Sequence, residues 1–79
     1  MPVHHEKFSP DNLKTIRRRA GMSRTQLGFA VGVSAEAVMR WEQGSYTPRV
    51  NTLLAVASVL DCPITALFSE ITENDPAIS

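Results

Sequence analysis

Between Ser23 and Gly44 the chain carries start and stop signals for two helices in quick succession, and no other feature limits its fold as strongly. Ser23-Arg24-Thr25-Gln26 has the form of a capping box: the serine hydroxyl accepts from the backbone N–H of Gln26, and the glutamine side chain reaches back. Leu27, Ala30 and Val31 then form an apolar stripe, and Gly32 ends the helix within about two turns. Val33 and Ser34 supply an apolar residue followed by another serine N-cap. A further helix is therefore expected from Ala35 to Gln43, with Val38 and Trp41 inward and Gly44 as its stop.

The same punctuation divides the rest of the chain. Ser9 as N-cap, Pro10 at the first helical position and Asp11 in the first turn open a helix that carries Leu13, Ile16, Arg17 and Ala20 on one face. Gly21 closes it. After Ser45-Tyr46-Thr47-Pro48 a longer helix starts near Val50, with Val50, Leu53, Leu54, Ala57 and Leu60 sharing the core face. Asp61-Cys62-Pro63 breaks it, and Ile64, Leu67 and Phe68 begin a last short helix. Strand-like alternation and internal repeats are missing. The acidic tail from Glu70 to Ser79, with Pro76, reads as frayed or linker-like.

Composition narrows the class without naming a partner. With 79 residues there is room for one small domain, and 43% hydrophobic with 20% charged residues describes a soluble globular protein. Cys62 is the only cysteine, so no disulfide is available, which suits a reducing cytosol. No metal-ligand set is visible, since His4-His5 stand alone. The longest strictly apolar run, Leu53 to Ala57, is far short of the roughly 20 residues that span a bilayer, and Met1 to Lys7 lacks the apolar stretch of a secretory signal. A cytoplasmic protein is expected. Cys62 has no partner group placed to activate it, so a small buried or half-buried cysteine in a helix connection is a simpler reading than a nucleophile, and an enzyme is not expected.

Two short helices joined by a glycine-containing turn of about three residues are the outline of a helix-turn-helix. The stretch Leu13 to Phe68 moreover resembles the Xre/Cro family of bacterial transcriptional regulators, typified by phage repressors. The resemblance rests on Arg17 late in the first helix, on Gly32, and on Val38-Met39-Arg40-Trp41-Glu42-Gln43-Gly44 followed by Pro48. The block Leu53 to Leu60 also fits the family's fourth helix. It implies an all-α, five-helix, lambda-repressor-like DNA-binding domain over residues 9–69, with the helix-turn-helix at helices two and three. Residues 1–8 would be a flexible arm and residues 70–79 an acidic tail. Gly28 stands where the family usually has alanine and the helices approach closely, and its helix penalty of about 1 kcal/mol is accounted for by close packing.

By the same resemblance, Arg17 and Glu42 form a structural ion pair, and helix 35–43 enters the major groove of double-stranded DNA. Outward-facing Glu36, Met39 and Arg40, with Ala35 at the leading end, become the base readers. Arg40 suits guanine O6 and N7, Glu36 suits cytosine N4, and Ala35 or Met39 suits a thymine methyl. Glu36 and Arg40 are also spaced i,i+4, so they can pair with each other on a solvated face. Arg24 and Thr25 at the start of the second helix, with Gln43, Tyr46 and Arg49, become the phosphate contacts. The family usually has glutamine at the position of Arg24, so a particular base preference does not carry over. Arg18 and Arg19 read as a solvated face, Phe29 as packed under the N-terminal arm against Phe8, and Val56 and Val59 as an exposed patch for a dimer or partner.

The resulting expectation is a sequence-specific, homodimeric regulator on a palindromic operator, with no cofactor. The alternative is an antitoxin-like interaction module that neutralises a protein partner and binds DNA secondarily. The net charge of zero is no obstacle to DNA. Residues 13–49 carry seven basic and two acidic side chains, a net of +5, while residues 1–12 carry −1 and residues 50–79 carry −4.

Overall fold

The computed structural model describes residues 4–72. Strand β1 (His4–Phe8) leads into α1 (Pro10–Arg19), α2 (Arg24–Val31), α3 (Ala35–Glu42) and α4 (Val50–Val59). A single 3-10 turn, Ile64–Leu67, then leads into strand β2 (Phe68–Thr72). The helix starts follow their caps. Ser9 Oγ accepts from the Asn12 N–H at 3.2 Å, and Ser34 Oγ from the Ala37 N–H at 3.1 Å. The capping box at α2 is complete: Gln26 N–H donates to Ser23 Oγ at 3.0 Å, and Ser23 N–H donates to Gln26 Oε1 at 2.8 Å.

The link between α2 and α3 is fixed by two glycines for different reasons. Gly32 takes the left-handed conformation, φ +85°, that reverses the chain. Gly28 is needed for space, because a Cβ there would lie 2.6 Å from the Val33 carbonyl oxygen. The Gly28 carbonyl in turn accepts from the N–H groups of both Gly32 and Val33 at 2.8 Å. The close approach expected at this position is therefore an approach of backbone to backbone.

Phe8, Leu13, Leu27, Val38, Trp41, Leu53, Val56, Ala57, Leu60 and Leu67 form one core to which every helix contributes. Several sequence expectations change here. Val56 is fully buried and Val59 half-buried, whereas Val50 and Leu54, expected inside, are exposed. The α4 stripe that meets the core is Leu53, Val56, Ala57 and Leu60, rotated from the one expected. The run Leu53-Leu54-Ala55-Val56-Ala57 is apolar on every side, so only packing against the other helices decides which side is buried. Ala20 and Ala30, placed on core faces, are exposed at the ends of their helices.

The helix count also changes. Among the described residues there are four α-helices, and the expected fifth is the 3-10 turn, because Phe68 leaves it in extended backbone. Residues 4–8, expected to be a flexible arm, pair antiparallel with residues 68–72 in the register Phe8↔Phe68 to His4↔Thr72. Ser9 N–H continues the pairing onto the Leu67 carbonyl at 2.8 Å, and Asn12 Nδ2 donates to the Phe68 carbonyl at 3.0 Å. Phe8 is buried in the core and Phe29 is 89% exposed, so the expected contact between them does not form. Residues 1–3 of the arm and 73–79 of the acidic tail lie outside the described residues.

Candidate nucleic-acid interface

The site is organised around a carboxylate almost wholly shielded from solvent. Glu42, at the end of α3, keeps 1% of its side-chain surface exposed. Arg17 of α1 donates to it through Nε at 2.6 Å to Oε2 and through Nη2 at 3.1 Å to Oε1. The remaining terminal nitrogen of Arg17 donates to the Met22 carbonyl at 2.8 Å. The expected structural pair is therefore present, and it ties α1 and the connection after it to α3.

A second arginine joins this pair. Arg24, the first residue of α2, donates from Nε to Glu42 Oε1 at 3.1 Å. A cation at a helix start is opposed by the helix dipole, and Glu42 offsets that. Burial pushes the Glu42 pKa up, but the hydrogen bonds and charges of Arg17 and Arg24 outweigh it, and the pKa falls below its ordinary value of 4.5. Arg24 is half-buried, and among the described residues its two terminal nitrogens have no hydrogen-bond partner. Its charge is thus partly engaged inside the protein, which the sequence did not indicate. Thr25, beside it in the first turn of α2, is exposed.

With Val38 and Trp41 inward, the helical period brings the other face of α3 to the surface. Glu36 and Arg40 are exposed, and Ala35 and Met39 half-exposed. Arg40 Nη2 donates to Glu36 Oε1 at 2.6 Å, so the i,i+4 pairing weighed from the sequence is made. Gln43 is exposed at the C-terminal end of the helix. The chain then turns through exposed Tyr46, with the Arg40 guanidinium 5.7 Å from the centre of its ring. Buried Pro48 and exposed Arg49 lead into α4.

A cleft of about 370 Å3 separates the exposed edge of α3 from this turn. Glu36, Arg40, Tyr46 and Arg49 line it, together with Ser34, expected only as a helix cap, and Thr47 and Thr52, to which the sequence assigned no role in the site. The signal available for the two threonines was their placement on either side of Arg49, one before Pro48 and one a turn into the helix. Arg49 caps α4 without a side-chain acceptor, so the positive end of that helix has no side-chain compensation. The structure brings Glu36, Arg40, Tyr46 and Arg49 to one cleft and places Arg24 against Glu42 at the C-terminal end of α3.

Arg18 and Arg19 are exposed on α1. Cys62 is half-buried between α4 and the 3-10 turn; burial and then the charge of Asp61 push its thiol above the ordinary value of 9.0. A thiol held protonated at neutral pH is a poor nucleophile. Among the described residues no cluster of His, Cys, Asp and Glu could hold a metal ion, and no helix is long and apolar enough to cross a membrane.

A family model described as helix-turn-helix matches residues 13–67. Among solved structures, the P22 c2 repressor protein in complex with synthetic operator 9T is similar, with a TM-score of 0.72 and 28% identity over 77% of this chain and 92% of that one. The restriction-modification controller protein C.AhdI from Aeromonas hydrophila has a TM-score of 0.71 and 27% identity, covering 75% of this chain and 86% of that one. Hydroxypropylphosphonic acid epoxidase from S. wedmorenis has a TM-score of 0.71 and 30% identity over 76% of this chain, but only 32% of the epoxidase is covered. No curated protein sequence matches the chain.

Proposed function

Because the chain belongs to the Cro/C1-type helix-turn-helix family, we propose that it is a sequence-specific DNA-binding transcriptional regulator whose α3 enters the major groove. The observation that carries this reading is the exposed edge of α3. Glu36 and Arg40 stand side by side on it, with Arg49 across the cleft and Arg24 at its far end. Arg40 reads guanine through its terminal nitrogens, Glu36 accepts from cytosine N4, and Ala35 and Met39 offer apolar contact to a thymine methyl. Arg24 and Thr25 at the start of α2, with Gln43 and Arg49, hold phosphates on either side. The likeness to a repressor solved with its operator supports the same reading.

The protein acts as a homodimer on a palindromic operator, since a single module of this size buries only about 600–1,000 Å2 on DNA. It works in the cytoplasm, as a binding protein and not as an enzyme. Selection of bound sequences from a random DNA pool tests the proposal. The expected result is two half-sites about 34 Å apart, with log affinity falling as log salt rises. Arg40→Ala should lose about 1–3 kcal/mol of discrimination at one base pair. Absence of any preferred sequence would sink the proposal, and stoichiometric co-purification with a basic protein partner would point instead to an antitoxin-like module.

A further inference from the structure

The geometry points to Tyr46 as a specificity-determining residue that acts through Arg40 and not on a phosphate. This inference rests on the major-groove reading of α3. Two independent constraints hold the ring and the guanidinium together. The first is backbone: the N–H groups of Ser45 and Tyr46 both donate to the carbonyl of Arg40, at 3.0 and 3.4 Å. Residue 46 is thereby tied to residue 40 itself. The second is in the side chains, where the Arg40 guanidinium sits 5.7 Å from the ring centre while its Nη2 is held at 2.6 Å by Glu36. An aromatic face attracts a guanidinium through its quadrupole, and the carboxylate attracts its edge.

An unsupported arginine samples many rotamers, and ordering it on DNA costs affinity only where it must be ordered, at the base it reads. The Tyr46 ring and the Glu36 carboxylate impose that order in the free protein, in a cleft open on the recognition side. Removal of the ring should therefore fall on discrimination at the base pair that Arg40 reads and leave the number of phosphate contacts unchanged. A phosphate contact by the Tyr46 hydroxyl would behave in the opposite way. It would weaken every sequence equally and leave discrimination alone.

The test compares Tyr46→Leu, Tyr46→Phe, Arg40→Ala and the Tyr46→Leu/Arg40→Ala double variant of the full chain on selected DNA and its single-base variants. Tyr46→Leu should reduce discrimination about two- to fivefold at the base pair that Arg40→Ala affects, with an unchanged salt slope. Tyr46→Phe should keep discrimination, and the double variant should be no worse than Arg40→Ala alone. In the free proteins, NMR should show the Arg40 side-chain protons shifted by the ring current in wild type and Tyr46→Phe but not in Tyr46→Leu. Unchanged Arg40 signals in Tyr46→Leu overturn the inference whatever the DNA result. So does a loss of affinity that is uniform across the single-base variants and is shared by Tyr46→Phe, as a phosphate contact of the hydroxyl requires. A wild type that discriminates while Tyr46→Leu matches it overturns this inference alone; a wild type without any preference overturns it together with the regulator reading.

Discussion

Glu42 accepts from two guanidiniums belonging to two different helices while almost none of its surface meets water. Arg17→Ala removes two of the three hydrogen bonds on this carboxylate and leaves Arg24 alone against it, so the cost falls below the about 3–5 kcal/mol of a buried charge left with no partner. Against the roughly 5–15 kcal/mol total stability of a small domain, Arg17→Ala should still unfold at lower urea concentration than wild type. The pH dependence follows from the lowered Glu42 pKa. The folded state holds the carboxylate ionised more firmly than the unfolded chain does, so this stabilisation is present above about pH 4.5 and fades as pH falls toward the folded value. Glu42→Gln should be less stable at neutral pH and flatter in its pH dependence below 4.5, and urea midpoints measured across pH 3–7 check both. The Arg17–Glu42 pair was legible through the family resemblance. Arg24 was not, because its sequence position marks a helix start and says nothing of a carboxylate 18 residues later; the unfavourable meeting of a cation with a helix start was the one available hint.

The helices were legible to the extent that their ends are chemically marked. Ser9, Ser23 and Ser34 cap where their spacing from the next apolar residues placed them. Gly28 shows how a packing requirement overrides propensity. Alanine would gain about 1 kcal/mol of helix preference, but its Cβ meets a backbone carbonyl that cannot rotate away, and overpacking costs about 1–3 kcal/mol. Gly28→Ala should therefore lower the melting temperature, contrary to the usual effect of such a change in a helix; an increase would contradict the packing described. Helix α4 was legible as a helix but not in its orientation, since Val50, Leu54, Val56 and Val59 are equally apolar and only the surrounding helices choose among them. The strands were not legible, because five residues such as His4-His5-Glu6-Lys7-Phe8 have no apolar alternation and their partner lies some sixty residues away.

At the scale of the whole molecule, the sheet converts an expected arm into part of the scaffold. Phe8 delivers its ring to the core formed by the helices, and the ladder beyond it joins the beginning of the described chain to its end. Two-stranded sheets are marginal alone, so the anchoring phenylalanine matters more than the ladder. Phe8→Ala should cost about 3–5 kcal/mol in chemical denaturation, the loss expected of a core aromatic, whereas a residue in a flexible arm would cost almost nothing. The candidate site was legible as a group of residue types on one helix and the turn after it; their convergence on one cleft was not, because it depends on how Pro48 and α4 return the chain past α3.

The pairing of His4 with Thr72 has a topological consequence. Opposed residues in an antiparallel ladder lie about 5 Å apart, so a few glycines would join one end of the described fold to the other and close the backbone into a ring. New termini could then be cut at exposed Gly21, between α1 and α2, which does not line the cleft. In such a circular permutant α2 would come first and α1 last, with the strands on the linker between them. Helix α3 would keep its neighbours while the covalent order of the chain was changed.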